Sequence, residues 1–359
     1  MHKKSNTFSL LLLAGAGLVA TGSVLPTPRS AAPAPAIAGM PLASQTFYDG
    51  SAMGLPMRLA VAGDRLIVLD ALGTQTVHVL DAETGALIES FGGRGEGPGE
   101  FEGPRSIDVV PSGDAFWIHD VAQQRSTLFP IESSTAESGR HREIRILKYA
   151  EGVGVIEPIH LGDREILAGG MFENGRLGHL DPEGRLVRAS GELPPAPKGV
   201  PPHQIQFIHQ GVLRGTPSRD RFALSSMFFT RVELFDRHGI SRGFVEAPVE
   251  LNPELRTNRR GEHRTVFVSS EAPAGYIDLA VTDEAIFALF SGRDPGVYGG
   301  DAGYADQVHV FAWTGDFVGA LDLGYDAVAI AVSTDGKTLY TARHAPVVEI
   351  RRHELPGQM

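Results

Sequence analysis

The 359-residue sequence contains no cysteine. That excludes disulfides, thiolate nucleophiles, thiolate-held metals and a lipid-anchored N-terminal cysteine. Lysine is scarce, 5 of the 32 basic residues, and the formal net charge is -11. Nucleic acid is therefore excluded as a partner, because neutralising phosphates needs a basic footprint. No apolar run is long enough to cross a bilayer, since the longest, Phe8 to Ala20, falls short of the roughly 20 residues a spanning helix needs. Gly-x-Ser-x-Gly, the lysine-bearing phosphate loop, His-Glu-x-x-His and the calcium-binding EF-hand loop are all missing.

What is abundant is turn chemistry: 43 glycines and 24 prolines against 21% charged residues. Both residues interrupt helical hydrogen bonding, so the composition predicts an all-β chain. The N-terminus has a positive start at His2, Lys3 and Lys4, then the short apolar stretch, then an Ala/Pro tract from Ala31 to Ala36. This is the pattern of a secretory signal, with cleavage expected between Ala20 and Ala38. Residues 1–38 are read as signal and linker, and 39–359 as the folded part. The mature protein is expected to be periplasmic or secreted, monomeric, and without a stable membrane span.

A hairpin recurs along the chain. Val77 to Asp81 turns at Gly85 into Ala86 to Phe91, and the pattern returns around Asp181 and Gly184, Asp236 and Gly239, and Phe311 and Gly315. Alternating side chains with Asp or Gly at the turn define β-hairpins. Two further alternating strands precede each hairpin, so the repeat is a four-stranded unit of roughly 50 residues, the blade of a propeller. Six blades are predicted, near 57–91, 105–147, 156–191, 207–245, 276–321 and 326–352. The last has only three strands, and Ser44 to Tyr48 is predicted to supply the fourth, closing the ring and removing an unpaired edge.

Phe91-Gly92-Gly93-Arg94-Gly95-Glu96-Gly97-Pro98-Gly99-Glu100-Phe101, followed by Pro104 and Ile107-Asp108-Val109, resembles the inter-blade linker of NHL-repeat propellers. Asp120, Gln124-Arg125 and Leu128-Phe129 resemble the next segment of that repeat, with Gln where Asn is usual. The chain thus resembles NHL-repeat and TolB-like six-bladed propellers of bacterial envelopes. The glycine run is read as an inter-blade linker rather than a phosphate cradle.

In an up-and-down blade, the connection between blades and the loop between second and third strands share one face. Gly92 to Pro104, Glu192 to His203, Glu246 to Gly275 and Ser291 to Asp306 all fall there, Glu132 to Arg142 being the long segment opposite. Long loops carry binding residues. The expected ligand-binding set on that face is Phe172, Phe228, Phe229, Arg256, Arg259, Arg260, Tyr298, Tyr304, Arg343 and His344, since aromatic rings and guanidinium groups suit a protein, peptide or glycan. Asp108, His160, His209 and Asp278 recur on inner strands and form a candidate zinc or calcium set if they converge on the channel. The expected function is a non-catalytic binding scaffold for an envelope or extracellular partner. The alternative, which the resemblance implies, is a metal-dependent, lactonase-like hydrolase or lyase.

Overall fold

A computed structural model describes residues 37–131, 144–196, 200, 204–260, 263–270 and 272–357; for residues 259, 260, 263, 264 and 301 the backbone alone is described. The signal segment, apart from its last two residues, the loop Glu132 to Arg142 and part of Glu192 to His203 lie outside the described residues. Six four-stranded antiparallel units stand in a ring, and each inner strand packs against the inner strands of the blades beside it, the sixth against the first. The inner strands are Pro56–Ala62, Pro104–Val109, Gly154–His160, Leu213–Gly215, Tyr276–Val281 and Ala329–Val332.

Strand periodicity explains how one sheet serves two neighbours. In blade 1 every residue of the second strand, Arg65–Asp70, is buried. Leu66 and Val68 point toward blade 6, among Ala329, Tyr340 and Ile350, while Ile67 and Leu69 point toward blade 2, among Phe101, Phe116 and Phe129. Blade 5 repeats the division: Ile286, Ala288 and Phe290 pack toward blade 4, Phe287 and Leu289 toward blade 6. The core is a series of layers between blades, so the middle strands read as continuous apolar runs. Removing a side chain such as Ile67, which is fully buried, should cost about 2–5 kcal/mol.

The ring closes as expected. Ser44–Tyr48 pairs antiparallel with Glu349–Glu354, Ser44 opposite His353 and Tyr48 opposite Ile350. Closure also extends where the sequence offered no cue, because Met40–Pro41 adds in parallel to the outer strand of blade 5, Phe317–Ala327. Gly85, at the blade 1 hairpin, has φ +76°, and a Cβ there would stand 2.1 Å from the Phe47 carbonyl oxygen. Only glycine fits that conformation and that approach to the closing strand.

The linker between blades 1 and 2 is pinned as a structural element. Arg125 donates to the carbonyls of Glu96, at 2.9 Å, and Glu100, and the Asp120 carboxylate accepts the Glu102 and Gly103 amides at 2.7 and 3.1 Å. The Gly95 amide donates to the Phe101 carbonyl at 3.1 Å and the Gly97 amide to the Glu100 carboxylate at 2.9 Å, and the run leads into the strand Pro104–Val109 rather than the helix N-terminus a phosphate cradle uses. Asp70 plays the Asp120 part in blade 1, accepting from the amides of Gly54, Leu55, Leu72 and Gly73.

Blade 4 departs from the predicted boundaries. Its inner strand begins at Leu213, and Ile205–Ile208 is a short helix in the connection before it. The expected blade begins at residue 207 with His209 on its inner strand, but Ile205 and Ile208, three apart, share a helical face that packs on Val266 of the hairpin Leu255–Arg260 and His263–Val268. His209 therefore caps a helix rather than lying on an inner strand.

Candidate functional site: the channel and the long-loop face

All six inner strands line a central channel. Its half toward the tight turns holds a cavity of about 270 Å³, lined by the half-buried Val61, Val109, Val281 and Val332 together with polar groups that include Arg214 and Arg219. Beside this cavity five blades contribute charge to one belt. Glu157 of blade 3 is contacted by Arg105 of blade 2 at 3.2 Å and by Arg214 of blade 4 at 3.3 Å. Asp278 of blade 5 is contacted by Arg214 at 3.4 Å and, across blade 6, by Arg58 of blade 1 at 3.9 Å. Blade 6 supplies a backbone donor, the Ile330 amide, 2.9 Å from the other Asp278 oxygen.

Backbone irregularity goes with this convergence. The inner strands of blades 1, 2, 3 and 5 each carry a one-residue register shift at this level, skipping Met57, Arg105, Ile156 and Ile277. A bulge re-aims neighbouring side chains. It is the physical reason that three of the five belt residues, Arg58, Arg105 and Glu157, escaped a strict alternation count; Arg214 comes from the regular inner strand of blade 4. Arg105 has its pKa lowered by burial, and the charges of Arg58 and Arg214 push in the same direction against the opposing pull of Glu157. Three guanidinium groups thus meet two carboxylates, and the Nε atoms of Arg58 and Arg105 make no hydrogen bond among the described residues.

Near the cavity's tight-turn mouth, Arg219 of blade 4 bridges past blade 3 to Asp108 of blade 2 at 2.5 Å and to the Val109 carbonyl. Arg219 has φ +57°, a left-handed conformation that costs a non-glycine residue energy. The other Asp108 oxygen accepts from the His160 amide at 2.7 Å and lies 3.2 Å from His160 Nδ1. His160 stacks flat on Trp117, centroids 4.0 Å apart. Burial lowers the His160 pKa, and Asp108 opposes that shift.

The four residues expected to converge do not form one set. Asp108 and His160 touch each other, Asp278 is held in the arginine belt, and His209 stacks on Phe229 at 4.6 Å in the connection before blade 4. Burial, with Arg176 and Arg231 nearby, lowers the His209 pKa to about 3. Among the described residues no three His, Asp or Glu side chains are grouped so as to hold a metal ion.

The expected long-loop residues divide between structural and accessible roles. Phe172 is buried in the core of blade 3, its ring filling the space beside Gly170 and Gly178, so it is unavailable to a ligand. Phe228 and Phe229 are half-buried. Arg256 is ion-paired with Glu254 at 3.1 Å; the side chains of Arg259 and Arg260 lie outside the described residues. Tyr304 of blade 5 meets His344 of blade 6 edge-on at 5.8 Å, and His344 Nε2 reaches the Pro56 carbonyl of blade 1 at 2.6 Å, tying three blades together. Arg343 is engaged by Glu349 at 2.9 Å and by the Ala345 carbonyl, while Tyr298 remains partly exposed beneath Arg293.

Exposed large apolar side chains distinguish the two faces more sharply than the aromatics and arginines did. Leu72 (74% exposed), Val347 (58%), Val297, Tyr298, Phe207, Leu255 and Phe267 all belong to segments on the long-loop face, whereas Ile240 stands in a turn of the opposite face. Leu72 and Val347 were not singled out from sequence, because a lone apolar residue in a short loop carries no periodic signal.

These features define a closed six-bladed β-propeller with a charged belt beside its channel cavity and exposed apolar side chains in its long-loop connections. The chain belongs to the TolB-like 6-blade propeller-like family, which matches residues 37–335. Similar solved structures include the β-propeller domain of Myceliophteria thermophila Cps50 (Swd1), at 14% identity and TM-score 0.46, covering 84% of this chain and 97% of that one. Another is Chaetomium thermophilum Raptor, at 12% identity and TM-score 0.48, covering 85% of this chain and 28% of that one. No curated protein matches the chain in sequence.

Proposed function

We propose that the chain is an exported binding module that holds a segment of a partner protein against its long-loop face. The observation that carries this reading is the number of exposed apolar side chains there: Leu72, Val347, Val297, Tyr298 and Phe207 stand in connections on that side, against Ile240 in a turn on the other. Apolar exposure costs hydration free energy and marks interaction surfaces. A protein segment fits this chemistry better than a glycan, because aliphatic Leu and Val gain by burying apolar area and offer a sugar no hydrogen bonds. Export rests on the basic and apolar N-terminal pattern, His2 to Ala20, and mass spectrometry of the protein from its native envelope should find the chain beginning between residues 21 and 39.

The face is tested by selecting binders from a displayed random-peptide library and, in parallel, from a glycan array. Peptides enriched on the mature protein should lose binding to a Leu72→Asp, Val347→Asp double variant and keep it on Ile240→Asp. Enrichment of glycans alone, or peptides indifferent to the double variant, would overturn the assignment.

A further inference from the structure

The channel cavity has its own chemistry, independent of what binds the long-loop face. Its walls combine valine side chains with polar groups, and Arg214 is the belt residue that lines it. Arg214 divides its guanidinium between Glu157 and Asp278, and those carboxylates are also shared with Arg105 and Arg58. Arg219 lines the cavity too, but Asp108 matches its charge. The belt therefore retains one unmatched positive charge beside the cavity, and the buried Arg58, 3.9 Å from Asp278, keeps an Nε without a hydrogen-bond partner among the described residues. An uncompensated buried charge is costly, and an anion that joins the belt recovers that cost.

We propose that the tight-turn half of the channel is a binding site for a small carboxylic acid with an aliphatic body, its carboxylate against Arg214 and its chain along the half-buried Val109, Val281 and Val332. One negative charge completes the belt. A dianion such as phosphate would overshoot it. A planar carboxylate also matches the fork of a guanidinium. The cavity, about 270 Å³, is at the lower end of small-molecule sites and suits a chain of several carbons rather than a drug-sized ligand.

The probes are hexanoate, its amide hexanamide, and inorganic phosphate, titrated into the mature protein by isothermal calorimetry while arginine Nε–H resonances are followed by NMR. Two sources of the carboxylate are separated by adding the tripeptide Leu-Leu-Leu as free acid and as C-terminal amide. Hexanoate is expected to saturate one site and to shift the Arg58 and Arg105 Nε–H signals, hexanamide and phosphate to do neither. Saturation by the free-acid tripeptide but not by hexanoate would assign the site to a peptide C-terminus within the same chemistry. Arg214→Gln should weaken binding tenfold or more, and because that variant also disturbs the belt, Ala60→Leu, which fills the cavity and leaves every charge in place, should do the same. No saturable binding by either carboxylate, equal binding of the amides, or binding of phosphate alone would overturn the proposal.

Discussion

Acidification should unfold this propeller in a window set by histidines, well before its carboxylates titrate. His119 is buried between blades 2 and 3 with Nε2 3.2 Å from the Val155 carbonyl, and His309 is buried in blade 5, stacked on Phe290 with Tyr276 Oη 3.0 Å from Nδ1. Burial lowers both pKa values from 6.5 to about 4. The unfolded chain therefore takes up protons first as pH falls below 6.5, and the stability these neutral rings provide is fully present above that value and lost down to about pH 4. At 1.36 kcal/mol per pKa unit each ring accounts for about 3 kcal/mol. The two together approach about 7 kcal/mol, comparable to the whole stability of an ordinary domain. Near pH 5 the slope from this pair should be about 2.4 kcal/mol per pH unit. His353, lowered to about 4 by burial with Arg351 beside it, acts in the same direction. Urea unfolding followed by fluorescence of Trp117 and Trp313 at pH 7.5, 6.5, 5.5 and 4.5 measures the slope. His309→Gln should lower stability at pH 7.5 yet reduce the slope by about 1.2 kcal/mol per pH unit. A stability that is flat between pH 6.5 and 4.5, or a slope unchanged by that substitution, would refute the reasoning.

Other outcomes follow from the same contacts. Gly85→Ala should destabilise the ring by more than about 1 kcal/mol, from positive φ together with the clash on Phe47, seen as a lower urea midpoint. Asp70→Ala strips a partner from four backbone amides of the blade 1 loop and should cost about 3 kcal/mol or more. The Asp70 pKa is lowered to about 2 by the His78 and backbone hydrogen bonds against the opposing effect of burial, so its contribution is complete above about pH 4 and is lost only as pH falls toward 2. Ile67→Ala should cost about 2–5 kcal/mol while Leu72→Ala changes stability little, a contrast that chemical denaturation of the two variants checks directly.

Much of the fold was legible because blade hairpins announce themselves locally. The Asp at the end of the third strand and the Gly before the fourth, as in Asp81 and Gly85 or Asp181 and Gly184, encode a turn whose backbone needs them. Ring closure by Ser44 to Tyr48 followed from counting, since a three-stranded last blade needs a partner. Local parity failed where the backbone slips. Bulges at Met57, Arg105, Ile156 and Ile277 put Arg58, Arg105 and Glu157 into the channel belt, so the inner-strand column read from alternation held only Asp278 of that belt. Phe172 looked like a loop aromatic, but two glycines across the sheet, Gly170 and Gly178, leave a space that its ring fills; only the paired strands reveal that space. His209 was expected on an inner strand, whereas the blade 4 strand begins four residues later, at Leu213, after the short helix Ile205–Ile208.

The long-loop face is the centre of the functional account, and site-specific photo-crosslinking in the native envelope tests it most directly. A benzophenone side chain placed at Leu72, Tyr298 or Val347 should give one shared protein adduct, and the same group at Ile240 or at Val187 on an outer strand should give none. Adducts from Ile240 or Val187 with none from Leu72, Tyr298 and Val347 would contradict the account.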